Sequence, residues 1–367
     1  MKKIRVLNIM NGAGTGGISR VVLGICQSLI NEGYSFDIAI DNPEIGYSGE
    51  KLIELGCNIK IIPRRRNIIE YCKTIKQLVK KNNYDYIHIH LNESSTLPLI
   101  LAKLFGCKRV FVHMHTARTP KGIKDKFNFL LLRVVSRYLA DKLIACSTEA
   151  GKTMFGEALC KKRSFVLCKN YINAEIYSYN LASRNRVRNE LECNNNTLVI
   201  GCVGTLREEK NNIFSVEVFE NILKYKNDAK LVFVGDGNRR NVLMEYIKDH
   251  GLSDKVILKG NTNNVPDYLS SFDCLLMPSL YEGFGLAALE ATASGLPVVL
   301  SDAITQDLSV FENIKYLSLR TEPKVWANTI ISLTEKQYDR SHAVEIVKEQ
   351  AFDFSSAKGD YKALYSN

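Results

Sequence analysis

Short unbroken apolar runs alternate with helical stretches along most of this chain, and that order leaves few folds open. A strand without polar alternation is covered on both faces. Strands separated by helices run parallel, so the pattern points to doubly wound α/β sheets. In the first series, strands are expected at 4–10, 35–40, 58–62, 86–90, 109–113 and 142–146, with a seventh beginning at Val166. Helices are expected over 18–31, 68–81 and 97–105. A second series starts at 198–203 and continues through 230–234, 256–258, 274–277 and 298–300, and the pattern is helical after Val325. With 367 residues the chain exceeds the ~100–200 of a single domain. The expectation is two Rossmann-like domains, 1–172 and 197–345, joined by a polar linker, 173–196, with one short helix. A terminal helical stretch follows at 346–367. Ligands of such sheets bind beyond the carboxyl ends of the strands. Two domains presenting those ends to each other would form a cleft.

Charge and cysteine usage narrow the setting. The net charge of +10 is unevenly spread, with +14 in residues 1–183 and −4 in 184–367. A basic half suits an anionic surface. No nucleic-acid module is present, and aromatic residues do not interleave with the basic ones, so nucleic acid is not an expected partner. The stretch 121–141 begins basic and turns apolar, and Arg64–Arg66, Lys80–Lys81 and Lys161–Arg163 add charge to the same half. It reads either as an interfacial segment meeting anionic lipid or as a core helix with a basic lip. No apolar run approaches the ~20 residues that cross a bilayer. The start, Met-Lys-Lys-Ile-Arg-Val-Leu-Asn, has too short an apolar core for a signal peptide. Ten cysteines form no Cys-x-x-Cys and suggest reduced thiols in a cytoplasmic protein, with peripheral attachment to the inner face of the plasma membrane as a further expectation.

The most chemical segment begins at Pro278 and runs Pro-Ser-Leu-Tyr-Glu-Gly-Phe-Gly-Leu-Ala-Ala-Leu-Glu. Leu286, Leu289 and Ala293 recur at helical spacing. Gly283 and Gly285 leave the first-turn backbone N–H groups uncovered. A helix start of this kind binds anions, phosphate above all. Glu282 stands at its mouth, and Glu290 lies two turns on, within reach of a sugar hydroxyl. A diphosphate flanked by two hydroxyl-seeking carboxylates outlines a nucleotide-sugar. The Glu-x7-Glu spacing, with Glu-Gly-Phe-Gly in front and Ala-x-Gly-x-Pro-Val-Val behind, resembles the retaining glycosyltransferases of family 4.

That resemblance implies the GT-B fold and an enzyme that moves a sugar from a nucleotide diphosphate donor, UDP-linked, to a glycan or lipid-linked acceptor. It is strongest toward bacterial capsular and exopolysaccharide enzymes. The nucleotide-sugar is a substrate, and no cofactor is implied. No Asp-x-Asp pair offers a handle for a metal on the diphosphate, and none is assigned. The stretch Val203-Gly-Thr-Leu-Arg-Glu-Glu-Lys-Asn matches the family's Gly-Arg-Leu-x-x-x-Lys-Asn signature at Lys210. It departs where the family has arginine, at Thr205, and Arg207 is the candidate replacement. The resemblance also implies that Gly16-Gly17 lets the backbone approach the diphosphate. By the same match, His115 in His113-Met-His115-Thr116 contacts the donor sugar. Gly235, Asn264 and Val265 line the nucleotide side. The donor would be held by Gly283, Phe284, Gly285, Leu286 and Glu290, with Lys210, Arg207, Glu282 and His115 nearest the chemistry. The resemblance implies that the last helix, Phe354 to Tyr365 within 346–367, crosses back to the first domain, and closure of the two domains on the donor is expected.

Other readings use the same residues. Gly12, Gly14 and Gly17 fit Gly-x-Gly-x-x-Gly, and with Asp41 they outline a dinucleotide site, hence a dehydrogenase. A sugar-nucleotide epimerase and a non-catalytic binder of sugar nucleotides are further alternatives. Histidines two apart suggest a metal site, and His88 and His90 repeat the spacing of His113 and His115 on the neighbouring strand, so a four-histidine metal site is conceivable, though no metal is assigned. Core or strand-end histidines are the simpler account of His88, His90 and His113.

Overall fold

The computed structural model describes residues 3–14, 16–336 and 338–366. The chain divides into two compact units, 1–171 with 354–367, and 172–353.

The first unit holds β1 (Ile4–Met10), α1 (Gly17–Leu29), β2 (Tyr34–Ile40), α2 (Tyr47–Glu54), β3 (Asn58–Ile61), α3 (Ile68–Asn82), β4 (Tyr86–Ile89), α4 (Thr96–Leu104), β5 (Arg109–Met114), α5 (Gly122–Leu139), β6 (Lys142–Ala145), α6 (Thr148–Phe155), α7 (Glu157–Cys160) and β7 (Phe165–Leu167). Its parallel sheet has the order β3-β2-β1-β4-β5-β6-β7. The order reverses between β1 and β4, and such switch points are where doubly wound sheets bind ligands. Most residues of β1, β2, β4 and β5 are buried, which is why these strands read as unbroken apolar runs.

The second unit holds α8 (Leu181–Glu190), β8 (Leu198–Val203), α9 (Asn212–Leu223), β9 (Ala229–Val234), α10 (Arg240–Asp249), β10 (Val256–Gly260), α11 (Val265–Ser271), β11 (Cys274–Met277), α12 (Leu286–Ala293), β12 (Val298–Ser301), β13 (Ile314–Leu317), α13 (Pro323–Thr334) and α14 (Ala343–Glu349). Its parallel sheet runs β10-β9-β8-β11-β12-β13, with the switch point between β8 and β11. Gly201 in β8 makes room for Phe272, since a Cβ there would lie 2.0 Å from the ring. Trp326 is fully buried in the core with Ile200, Phe219 and Phe233. The last helix, α15 (Phe354–Leu364), belongs to the first unit and packs on α1, where Gly24 admits the Phe354 ring.

Two features differ from expectation. The tract 173–196 is folded into the second unit through α8, whose Val187 and Arg188 are buried. Arg188 donates to the Ser271, Asn194 and Thr197 carbonyls and pairs with Asp273 at 3.2 Å. Burial there is met mainly by hydrogen bonds and an ion pair, so the tract carries little apolar signal. Strand β13 was not expected: only Ile314 of its four residues is buried, as suits an edge strand. The tail after Val325 holds α13, α14 and α15. All ten cysteines are free thiols, eight of them buried.

Candidate active site

In the second unit, the turns that end β8, β9 and β10 are laced together by main-chain bonds. Gly204 N–H donates to Val234 at 2.9 Å, Leu206 N–H to Asp236 at 3.1 Å, and Gly235 N–H to Gly260 at 2.9 Å. Gly235 has φ +133°, and a Cβ on it would sit 2.1 Å from the Gly204 carbonyl oxygen. Only glycine allows this approach. The fit carries the Val-Gly-Thr-Leu turn to the edge of the switch point.

Lys210 closes the short 3-10 turn after β8, and its ammonium pairs with the Glu282 carboxylate from the loop after β11. Ser279 donates to the same Glu282 oxygen at 3.1 Å, and Leu280 N–H bonds the Glu209 carbonyl at 2.8 Å. The two loops, 72 residues apart in sequence, therefore flank the switch point as one body. A small hollow beside them is lined by Gly204, Lys210, Asn212, Pro278 and Ser279. Three residues after Glu282, Gly285 adopts φ +90° and opens α12, with no side chain capping the helix and no acid in its first turn. A cation and an uncapped helix start side by side can hold a diphosphate.

The remaining expected residues of this unit divide. Phe284 is buried and packs on Phe352 with ring centroids 5.9 Å apart, so its side chain serves the core and its backbone is what the loop presents. Leu286 begins α12. Glu290 is fully buried, and its carboxylate accepts from the Tyr177 hydroxyl at 3.1 Å. Arg207 is 60% exposed and meets Glu209 at 3.9 Å; it does not line the Lys210 hollow. Asn264 and Val265 start α11, Asn264 accepting from Asp267 N–H at 3.1 Å. Ser279 and Tyr177 were not anticipated: a serine or tyrosine in a loop carries no pattern until its partner is known.

In the first unit, Gly16 and Gly17 stand at the start of α1, just past the β1 end of the switch point. Gly16 is extended (φ −69°), and a Cβ on it would meet nothing within 4 Å. Neither backbone nor packing demands a glycine there. Asp41, which a dinucleotide reading requires, is paired with Arg65 at 3.1 Å. His115 follows β5, its N–H donating to Asn92 Oδ1 at 2.9 Å. Its Nε2 lies 2.9 Å from His90 Nδ1, and His90 Nε2 lies 3.1 Å from Asn8 Oδ1. With Asn8 accepting from His90, His90 Nδ1 accepts from His115 Nε2–H, and the chain of bonds sets both tautomers. Burial holds His88, His90 and His113 well below the usual imidazole range and pushes His115 down to about 3, so all four are neutral at pH 7.

Two doubly wound sheets, the second with a cation and a helix start at its switch point, define a nucleotide-binding α/β enzyme. Residues 15–163 match the family described as Glycosyltransferase Family 4, and residues 183–350 match Glycosyl transferases group 1. The chain belongs to this glycosyltransferase family. An Escherichia coli relative named UDP-Gal:alpha-D-GlcNAc-diphosphoundecaprenol alpha-1,3-galactosyltransferase is 27% identical over 314 residues, covering 82% of this chain and 80% of its own. The capsular polysaccharide biosynthesis glycosyltransferase CapH of Staphylococcus aureus is 24% identical over 378 residues, covering 99% and 98%. Among solved structures, Anabaena HepE in complex with UDP and glucose superposes with a TM-score of 0.82 at 18% identity, covering 99% of this chain and all of its own. The fold is GT-B, and the dehydrogenase, epimerase and binder readings are set aside.

Proposed function

We propose that the protein transfers a sugar, with retention at the anomeric carbon, from a UDP-linked donor to a glycan or lipid-linked acceptor in surface polysaccharide synthesis. The observation that carries the reading is the Lys210–Glu282 pair at the β8/β11 switch point, beside the uncapped start of α12. As the glycosidic bond breaks, negative charge grows on the departing diphosphate. Lys210 exchanges its carboxylate partner for that phosphate, and the N–H groups of 283–286 add fixed positive dipoles. Glu282, so released, turns to a donor-sugar hydroxyl. Glu290 takes the ribose hydroxyls, one of them replacing the Tyr177 hydroxyl. The turns at Gly235, Asn264 and Val265 meet the base through their backbone. Gly16, with open space beside its Cα, admits the diphosphate close to the main chain, and His115 orients the sugar. The diphosphate charge is met by Lys210 and main-chain donors, and no metal is assigned to the transfer. The names of the Escherichia coli and Staphylococcus aureus relatives, and the UDP in HepE, support a UDP-sugar donor and a lipid-linked or capsular product.

The acceptor reading adds a membrane contact. Helix α5 buries Phe129, Leu132 and Ser136 and leaves Ile123, Phe127, Leu130, Val134 and Tyr138 exposed on one stripe. Lys124, Lys126 and Arg137 lie on the same helix. An apolar stripe with basic neighbours fits an anionic bilayer surface and supports a peripheral position on the inner leaflet. No helix among the described residues is long and apolar enough to cross a membrane.

A thermal-shift comparison of UDP-, GDP-, ADP- and dTDP-sugars tests the donor, because only a ligand of the folded form raises its stability. UDP-sugars should raise the midpoint in the wild type and raise it less in Glu290→Ala, which removes the assigned ribose contact. A response confined to another nucleotide, or equal in the variant, would refute the assignment.

A further inference from the structure

On one face of the first sheet, His-x-His pairs stand side by side where β4 and β5 end. Alternate residues of a strand share a face, so the four rings form a two-by-two array. Ring centroids are 4.1 Å apart within each pair, and 5.3 Å separates His88 from His113. His88, His90 and His113 are completely buried. His88 Nε2 and both nitrogens of His113 make no hydrogen bond, and the same holds for His115 Nδ1 and Asn8 Nδ2. Five unpaired buried polar atoms in one place are costly unless something ligates them, since each forfeits its hydration. His88, His90 and His113 each offer one nitrogen, all three within 4.8 Å of one another. Tetrahedral coordination at ~2.0–2.1 Å needs donors about 3.4 Å apart, a convergence that small side-chain rotations supply.

We propose that His88, His90 and His113 form a structural site for a divalent first-row transition ion, Zn2+ being the class that three imidazoles suit. This goes beyond the sequence reading, which assigned no metal, and it is independent of the transfer reaction. The three ligands are neutral imidazoles, as metal coordination requires. No carboxylate belongs to the set, so a water or hydroxide completes the shell and offsets part of the charge. His90 joins by giving up one of its bonds, to Asn8 or to His115. His88 binds through Nε2, because its Nδ1 is already 2.8 Å from the Tyr365 hydroxyl. Tyr365, the residue after α15, also packs its ring against Tyr86 at 5.2 Å. Orientation of a ligating histidine by an outer partner is usual at such centres, and here it ties the ion to the end of the last helix.

The test uses the full chain, stripped with chelator, incubated with Zn2+ or Co2+ and passed through a desalting column. About one ion per chain should remain, Co2+ should show the visible bands of a four-coordinate nitrogen site, and the thermal midpoint should rise with Zn2+. X-ray absorption of the Zn2+ form should show an imidazole shell, a readout that needs no variant. In His88→Gln/His113→Gln, retention should fall at least tenfold while unfolding remains cooperative. No retained ion in folded wild-type protein, retention unchanged in the double variant, or a shell of sulfur or carboxylate donors would each overturn the proposal.

Discussion

Replacing Gly16 by alanine separates the demands of packing from those of a ligand. Gly16 is the N-cap of α1 with φ −69° and ψ 162°, angles that alanine adopts without strain, and a Cβ there has no neighbour within 4 Å. Two small terms act on stability. Losing a glycine narrows the unfolded ensemble, worth about 0.4–1 kcal/mol in favour of the fold. Alanine caps a helix less well than glycine, at a cost of roughly the same size. The net change should lie within about 0.5 kcal/mol, a shift in midpoint of about 2 °C or less for a unit of this size. A diphosphate resting on the Gly16 backbone would meet the new methyl, and such overpacking costs about 1–3 kcal/mol. That predicts a fall in kcat/KM of about five- to 150-fold. Urea unfolding followed by tyrosine fluorescence, together with initial rates of nucleotide release, reads both quantities on one preparation. An unchanged kcat/KM in a stably folded variant would show that no ligand approaches this loop. A large drop in unfolding midpoint would show that the space beside Gly16 is already in use.

Gly235→Ala should behave oppositely: the clash with the Gly204 carbonyl and the positive φ together should cost about 3 kcal/mol, seen as a lower urea midpoint. Lys210→Ala should lower kcat by about a hundred- to a thousandfold with little change in fold, since the cation acts on charge that develops only as the bond breaks; an equal rise in KM with kcat intact would contradict that role. The double change Phe127→Ser/Leu130→Ser should release the protein from vesicles containing anionic lipid in a sedimentation assay while leaving its midpoint unchanged, because both side chains are exposed. Glu32, paired with Lys358 and Lys362 of α15, is held below the usual carboxylate range by these lysines. A depressed carboxylate stabilises the fold above its unfolded pKa. The benefit is lost as pH falls through the folded pKa, so Glu32→Gln should lower the midpoint slightly at pH 7 and not at pH 2–3.

Local pattern was enough to reveal the two sheets, because each strand is buried on both faces and each helix carries its own periodicity. The loop from Pro278 to Glu290 was legible for a similar reason: strand end, glycine turn and helix start are consecutive, so their chemistry is written within a dozen residues. The membership of tract 173–196 in the second unit and strand β13 were not legible, since one is held by arginine hydrogen bonds and the other is an edge strand with little buried surface. Tertiary structure alone decided which loops meet. The pairing of Lys210 with Glu282, the enclosure of Glu290 by Tyr177, the inward bond from His115 to His90 and the convergence of three histidines all depend on strand order. Sequence spacing states what lies on one strand or helix. Only the lateral order of strands states which ends become neighbours, and charges or lone pairs act over a few ångströms of space, whatever their separation along the chain.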